Sequence, residues 1–257
     1  NGGFSNSHAH LDRAYTIDAL DIFEKGNKHL FEKWQIVDNF KRNASESDYY
    51  SNIEAALESQ MNFGVKRITT FIDIDTVVGQ KAINAALVSK RYSKHKYGID
   101  LKVASQTLKG VLKKEERKVF EDNIEKFDIV CSLPRADDNI EKHLEYLMNI
   151  CKDTKKKLHV HVDQLNTIME KETELLARLT IKNGLEGMVS AVHSISLACH
   201  PKKYREEVYS ISRDAGLTFI SCPTAWIDAK RSEDLTVTHN AVTPVDEPIT
   251  TALAVTV

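Results

Sequence analysis

The chain has 257 residues, of which 35 are lysine or arginine and 37 are aspartate or glutamate, so its formal net charge is −2. A charge this small creates no long-range field that would draw the protein to nucleic acid or to an anionic membrane. With 42% hydrophobic and 28% charged residues, the composition is that of a globular chain and excludes a disordered one. No apolar run approaches the roughly 18 residues of a membrane span, and no signal peptide is recognisable. We therefore expect a cytoplasmic protein with neither nucleic acid nor membrane as a partner.

The cysteines are widely spaced and form no CxxC pair. They are Cys131, Cys151, Cys199 and Cys222. This spacing predicts reduced thiols, as in a cytoplasmic protein, and not a disulfide framework or a thiolate zinc site.

Short apolar runs that predict β-strands alternate with longer stretches of helical periodicity. The predicted strands are Gly3–His8, Arg67–Asp73, Leu101–Ser105, Phe127–Ser132, Lys157–Val162, Met188–His193 and Leu217–Cys222, and an eighth begins near Ile249. The clearest helical patterns cover Asp48–Phe63, Asn139–Cys151, Glu170–Lys182 and the segment that begins at Pro201. The first and last of these helices are expected to end at glycines, Gly64 and Gly216.

Repeated strand–helix alternation predicts parallel strands joined by crossover helices. An open doubly wound sheet and a closed (β/α)8 TIM-like barrel both satisfy this pattern. The count of about eight strands favours the barrel, as one domain over residues 1–257. The absence of GxGxxG and GxxxxGK[ST] motifs after the predicted strands counts against a nucleotide-binding open sheet.

Four of the ten histidines fall at or next to the carboxyl ends of predicted strands: His8, His10, His161 and His193. That end of a (β/α)8 barrel is where active sites form. The imidazoles of His8 and His10 share one face of an extended chain, and imidazole nitrogens suit zinc and iron. A His-x-His pair alone is a weak signal, and a single histidine at a strand end is more often structural. The joint placement on three strands is what favours a metal site.

The other six histidines have simpler interpretations. His159 lies on the same side of its strand as His161 but lower in the barrel, where we expect a packed residue. Surface positions are expected for His29, His95, His143, His200 and His239.

The stretch Asn6-Ser-His-Ala-His-Leu-Asp12 resembles the HxHLD motif that opens the barrel of the amidohydrolase superfamily. Three further stretches are similar to its cytosine deaminase and isopropylammelide amidohydrolase branch: Thr70-Phe-Ile-Asp-Ile-Asp75, His161-Val-Asp-Gln164 and Ala191-Val-His-Ser-Ile-Ser-Leu197. Phe71 stands where a histidine is common in that branch. The ordered set of motifs covers nearly the whole chain and is more specific than any one of them.

The resemblance implies one divalent metal ion, zinc or iron, with His8, His10 and His161 as ligands. It implies that His193 is the catalytic histidine that orients and deprotonates the attacking water, and that Asp163 supports His161 or a nearby loop. Other members of the superfamily bridge two metals with a carboxylated lysine on the fourth strand. The matching stretch here, Phe127–Pro134, contains no lysine, which favours a mononuclear site.

Two departures from the family bear on chemistry. Gln164 stands where cytosine deaminase has a proton-shuttling glutamate, and an amide cannot carry a proton at neutral pH. Gln164 is therefore predicted to be a catalytic-site residue that binds the substrate by hydrogen bonds. Because it cannot shuttle a proton, cytosine itself is a doubtful substrate. Further substrate-binding candidates are Gln106, after the third strand, and Trp226, whose ring could stack on a flat substrate. Either residue could equally be a rim residue without this role. Arg13, Asp73 and Arg135 are also placed at the rim and rank below these.

The second departure concerns the ends. In the family the eighth strand ends in an aspartate that binds the metal or its water, and both chain ends build a small β-domain. The sequence enters the first strand at once and stops inside the eighth. We therefore expect a barrel incomplete at both ends, without the flanking β-domain and the end of strand eight. Either the chain belongs to a longer protein, the reading we favour, or the barrel is degenerate.

The leading prediction is hydrolytic deamination, with C–N cleavage in a nitrogen heterocycle or a related amide or amidine by a metal-activated water. The partner would be a small-molecule substrate, and a homo-oligomer remains an open alternative. A second reading is hydrolysis of a cyclic amide or an N-alkyl group. A third is a non-catalytic barrel that acts as a binding module. A phosphate site ranks low, because no glycine cluster follows the seventh or eighth strand.

Overall fold

The computed structural model describes residues 2–16, 30–223, 242–250 and 254–256. The strands are β1 (Phe4–Ala9), β2 (Val65–Asp73), β3 (Asp100–Gln106), β4 (Ile129–Ser132), β5 (Lys157–Val162), β6 (Val189–His193), β7 (Thr218–Ile220) and β8 (Ala254–Thr256). The α-helices of the described residues are α1 (Leu30–Asn43), α2 (Glu46–Asn62), α3 (Lys81–Tyr97), α4 (Lys114–Glu121), α5 (Ile140–Thr154), α6 (Glu172–Lys182), α7 (Lys202–Asp214) and α8 (Asp246–Thr250). Short 3-10 helices cover Leu11–Arg13, Ile124–Lys126, Pro134–Ala136 and Ile195–Cys199.

The strands form one sheet in the order β1 to β8. Neighbouring strands pair in parallel wherever their register is described. A doubly wound sheet would reverse its strand order at a switch point, and this sheet does not. The predicted (β/α)8 TIM-like class is therefore confirmed.

Local sequence explains where the long helix α2 begins and ends. The Ser45 hydroxyl accepts a hydrogen bond from the Asp48 backbone N–H at 3.2 Å, and the Asp48 carboxylate accepts one from the Ser45 N–H at 2.7 Å. This reciprocal capping box satisfies two backbone donors at the helix start. Gly64 follows the helix with φ of 78°, a left-handed conformation that glycine adopts without strain.

The structure divides into two compact units, the first ending at Cys131 and the second beginning at Ser132. In the first unit the inward residues Phe71, Ala104 and Cys131 are fully buried and pack together on β2, β3 and β4. Helix α2 buries Ile53 and Leu57, and it packs against α3.

In the second unit β5, β6 and β7 carry the core. Helix α5 buries Leu144, Leu147 and Met148, as its helical periodicity predicts. Helix α6 packs against α7, and the turn after α7 depends on Gly216. This glycine has φ of 60°, and a Cβ atom there would lie 2.8 Å from the Gly187 nitrogen.

The predicted eighth strand starts too early. Ile249 lies in helix α8, and β8 does not begin until Ala254. Asp246 and Glu247 place negative charge at the start of α8, and Pro248 has the fixed φ that suits a first helical turn. These residues favour a short helix where the apolar composition alone indicated a strand.

Helices α1, α3 and α4 complete the alternation, although their periodicity did not single them out in the sequence. Among the residues that the structure describes, no helix is both long and apolar enough to cross a membrane.

Candidate active site

Strand β1 brings two imidazoles together in the first unit. The Nε2 atoms of His8 and His10 are 3.1 Å apart. Two nitrogens that bind one zinc ion at 2.0–2.1 Å with tetrahedral angles lie about 3.3 Å apart, so this pair fits one divalent ion. The Phe71 ring, centred 4.2 Å from that of His8, supports the pair from β2.

The turn after His10 is fixed by two hydrogen bonds to strand β2. The Leu11 N–H donates to the Thr70 hydroxyl at 3.0 Å, and the Asp73 N–H donates to the buried Asp12 carboxylate at 3.0 Å. Asp12 of the HxHLD motif therefore joins the ends of β1 and β2 and keeps the His8–His10 pair in place.

A buried network of charges lies at the end of β2. The Lys41 ammonium, whose side chain is 2% exposed, is 2.7 Å from the Asp73 carboxylate and 2.6 Å from that of Asp75. Arg13 also pairs with Asp73. Burial alone would raise the pKa of Asp73, but the two cations outweigh it and lower that pKa. Burial and the charge of Asp73 raise the pKa of Asp12.

The second unit holds the other two histidines at neighbouring strand ends. The ring centroids of His161, in β5, and His193, at the end of β6, are 5.2 Å apart. His193 and Ser194 have φ of 74° and 49°, conformations that cost energy in residues other than glycine and that cluster at functional sites. Burial lowers the pKa of His193 to about 4, so its imidazole is neutral at pH 7.

The tautomer of His161 follows from one contact. Its Nδ1 atom lies 3.3 Å from the backbone oxygen of Ser132. A carbonyl oxygen can only accept, so Nδ1 carries the hydrogen, and the lone pair of His161 is on Nε2, where a metal would bind.

Asp163 ties the loop after β5 to helix α6. Its carboxylate accepts hydrogen bonds from the Glu172 N–H at 2.7 Å and the Thr173 N–H at 3.1 Å, while its own N–H donates to the Glu172 carboxylate at 2.9 Å. These contacts close the loop at both ends. Asp163 thus supports a loop, one of the two roles that the resemblance implied.

The candidate substrate residues have distinct positions. Gln106 is the last residue of β3 and is 3% exposed. Its Oε1 atom accepts a hydrogen bond from the Cys131 thiol at 3.2 Å, and its Nε2 atom carries the two donor hydrogens of the amide. Gln164 follows Asp163 and is 6% exposed. Trp226 lies outside the described residues, as do His29 and His239.

A cavity of about 380 Å³ opens beside the loop after β5. The Arg135 guanidinium, which borders it, lies 2.6 Å from Glu170 and 2.7 Å from Glu172. One cation thus faces two buried carboxyl groups, with Asp163 close behind them. Burial raises the pKa of Glu172 to about 8. The sequence indicated Arg135 as a rim residue but gave no sign of its glutamate partners.

Two of the predicted surface histidines are buried. His143 is 0% exposed, because its ring lies between the hydroxyl of Ser132 and the carboxylate of Asp137. His200 is 6% exposed, and its Nε2 donates to the Glu170 backbone oxygen at 2.7 Å. His95 is exposed and His159 is buried, as predicted. The helical period of α5, which places His143 beside the apolar Leu144 and Leu147, was the available signal for its burial.

Comparison with known proteins finds one relative that the chain matches over almost its full length and one that it matches over about half of its length. No protein-family profile matches the chain. An uncharacterized protein from Haemophilus influenzae is 43% identical over 253 residues, which cover 96% of this chain and 91% of that protein. The N-isopropylammelide isopropyl amidohydrolase of a Pseudomonas species is 24% identical over 226 residues, which cover 86% of this chain and 56% of that enzyme.

Among solved structures, the 5-methylcytosine deaminase of Klebsiella pneumoniae liganded with 5-fluorocytosine matches with a TM-score of 0.88 and 23% identity, covering 98% of this chain and 61% of that one. The chain therefore spans about three fifths of the deaminase and of the Pseudomonas enzyme. The likeness to the deaminase is one of fold, and it confirms the barrel that the motifs predict. The chain belongs to the same family as the uncharacterized Haemophilus influenzae protein, and it shares its fold with the barrel of the Klebsiella deaminase.

Proposed function

We propose that this protein is a mononuclear metal-dependent hydrolase that removes an amine from a nitrogen heterocycle or a related amide or amidine. The observation that carries the proposal is the convergence of the His8 and His10 Nε2 atoms to 3.1 Å. The tautomer of His161, which presents Nε2, supports it as the third ligand. In a (β/α)8 barrel the carboxyl ends of β1, β5 and β6 belong to one rim, so the topology favours a single site.

A bound zinc or iron ion would act as a Lewis acid and bring the pKa of a water molecule near neutrality. The protein's own groups supply the rest. His193, neutral because burial lowers its pKa, accepts the proton of the attacking water on a ring nitrogen and can return it to the leaving amine. The left-handed backbone at His193 and Ser194 sets the direction in which the His193 side chain leaves the end of β6.

Two glutamines are the proposed substrate-binding groups. Because the Gln106 oxygen accepts from Cys131, the amide nitrogen is the atom that presents donors to a substrate. Gln164 offers an amide where a carboxylate would shuttle protons, so it binds and orients but does not transfer a proton. Trp226 is proposed, from its sequence position alone, to stack on a flat ring.

The substrate class follows from the relatives together with these glutamines. The Klebsiella enzyme is a 5-methylcytosine deaminase and the Pseudomonas enzyme an N-isopropylammelide isopropyl amidohydrolase, both named for flat nitrogen heterocycles. Because position 164 carries no carboxylic acid, the proposed route of the proton to the leaving group runs through His193. An N-alkylamine is more basic than ammonia and is therefore protonated more readily, so it is compatible with this route. The proposed substrates are therefore amino- and alkylamino-substituted pyrimidines and triazines.

Metal analysis of the purified protein is the first test. We expect about one zinc or iron ion per chain, and loss of this metal in the variants His8→Ala and His161→Ala. The matched control is His95→Ala, because His95 is exposed on α3. Retention of the metal in both site variants would overturn the proposal. The loaded protein is then assayed for release of ammonia from 5-methylcytosine and of isopropylamine from N-isopropylammelide.

A second candidate function is a non-catalytic barrel that binds a small molecule. The amide at Gln164 favours it, since that position then lacks a proton carrier. It predicts that the metal-loaded protein binds a heterocycle in calorimetry but releases no amine. Turnover of any of these compounds would exclude it.

A further inference from the structure

A buried chain of three polar side chains connects the end of β4 to helix α5. The Ser132 hydroxyl lies 2.9 Å from Nε2 of His143, and Nδ1 of His143 lies 2.6 Å from the Asp137 carboxylate. Ser132 and His143 are both 0% exposed, and the Asp137 side chain is 3% exposed. Pro134, at the start of the 3-10 helix Pro134–Ala136, turns the chain so that Asp137 reaches back to α5.

The protons of this chain can be assigned. Burial lowers the pKa of His143, so the ring is neutral and carries one hydrogen. A carboxylate can only accept, so this hydrogen is on Nδ1 and is donated to Asp137. Nε2 then accepts from the Ser132 hydroxyl. Every hydrogen-bonding atom of the ring is satisfied, and the Ser132 side chain is held in one rotamer.

The three groups follow the order of a serine–histidine–carboxylate catalytic triad, but here the serine is completely buried. A nucleophilic serine must meet a substrate carbonyl. The Ser132 side chain is fully enclosed between β4 and α5, so no substrate reaches it. The arrangement is suited to fix a segment of backbone and not to attack a bond.

The backbone that it fixes is the one that His161 contacts. The Ser132 oxygen accepts from Nδ1 of His161 at 3.3 Å, beyond the usual range for such a bond. A bond this long is lost with a small displacement of either partner. The orientation of the His161 ring therefore depends on how firmly Ser132 is held.

We infer that Asp137 and His143 are positioning residues for His161: the Asp137–His143–Ser132 chain fixes the strand-4 carbonyl that sets the tautomer and direction of the His161 imidazole. In metal-dependent sites, partners that orient a ligating histidine change metal affinity by about 10- to 100-fold. The inference rests on the proposed function in taking His161 as a ligand. The orientation itself is a property of the protein without metal.

Two variants test the inference, Ser132→Ala and Asp137→Asn. The first removes the hydroxyl and keeps the carbonyl, and the second keeps the shape of the side chain and removes its charge. Imidazole ¹⁵N spectra of the metal-free protein report the tautomer of His161, and competition with a chromophoric chelator reports the Kd for zinc. We expect a single Nδ1–H tautomer of His161 in the wild type and a mixture of tautomers in both variants. We expect zinc affinity to fall at least about 10-fold.

The control is Asn139→Ala. Asn139 caps the same helix, α5, by accepting from the Lys142 N–H at 2.9 Å, but it is not part of the chain. This variant should lower stability without changing the His161 spectrum or the zinc Kd. An unchanged His161 tautomer in both test variants would overturn the inference, as would an equal change in the control. A wild type that binds no zinc would instead overturn the proposed function, and the ¹⁵N spectra would still decide the role of the chain.

Discussion

Lys41 gives the sharpest test of how the β2 end of the site is held. Its ammonium is almost completely buried between the carboxylates of Asp73 and Asp75. Lys41→Met keeps the length and the apolar stem of the side chain but removes the charge. The variant therefore leaves two buried carboxylates that lose the cation they share.

The expected loss is large because the remaining charges stay in a medium of low dielectric constant. Removing one partner of a buried ion pair costs about 3–5 kcal/mol. Arg13 remains next to Asp73, so we expect the lower end, about 3 kcal/mol, in the free energy of unfolding. The pH dependence has a definite sign. The pKa of Asp73 is lowered in the folded wild type, so this stabilisation is present above the ordinary value of 3.8 and is lost as the pH falls through the lowered folded-state pKa. The deficit of the variant should therefore shrink in acid.

Urea unfolding at pH 7 and pH 3, followed by circular dichroism, measures both effects. Lys96→Met is the matched control, because Lys96 pairs with Glu54 at 2.7 Å while its side chain is 54% exposed. Water screens such a pair, and we expect no measurable shift of the midpoint. A loss below about 1 kcal/mol for Lys41→Met at pH 7, or a deficit that grows in acid, would refute the reasoning.

Two further predictions concern the second unit. The pKa of Glu172 is raised to about 8 in the folded state from an ordinary 4.5, so its contribution to stability is present at low pH and is lost as the pH rises through 8. The stability of Glu172→Gln relative to wild type should therefore increase from pH 5 to pH 8.5, by at most about 5 kcal/mol. Urea unfolding measures this difference, and a difference that stays constant or decreases with pH would contradict the prediction. Gly216→Ala should cost about 2–4 kcal/mol, because it combines a left-handed backbone with a Cβ atom 2.8 Å from the Gly187 nitrogen. Gly184→Ala, with a similar φ of 63° and no atom within 4 Å of its Cβ, isolates the backbone part, and equal losses in the two variants would show that the contact has no effect.

The sequence predicted the parts of the structure that depend on local pattern. Strand–helix alternation indicated parallel strands, the count of about eight favoured the barrel, and β5 has the predicted bounds, Lys157–Val162. The histidines at strand ends could be found because the position of a residue at the end of a parallel strand is fixed by the fold class. The glycines Gly64 and Gly216 marked helix ends because only a left-handed residue suits those places.

What the sequence could not show depends on contacts between distant residues. Lys41 lies in a helix with other charged residues, and its burial follows only from the approach of Asp73 and Asp75 in space. His143 was expected at the surface. Its burial could not be foreseen, because it depends on two partners elsewhere in the chain, a serine on the preceding strand and an aspartate in a loop. The eighth strand was predicted to begin near Ile249, which lies in the short helix α8, because the apolar residues from Ile249 onward outweighed the acidic residues and the proline before it.

The closed loop after β5 has a consequence for engineering. Asp163 and Glu172 are joined by reciprocal hydrogen bonds, so the two ends of the loop between them are held at a fixed separation. Replacement of part of this segment leaves that junction intact, and His161 lies on the scaffold side of it. Gln164, the first residue inside, can therefore be exchanged together with its neighbours in a combinatorial library without altering the anchor. New substrate preferences could be selected at this position while the strand that carries the histidine stays unchanged.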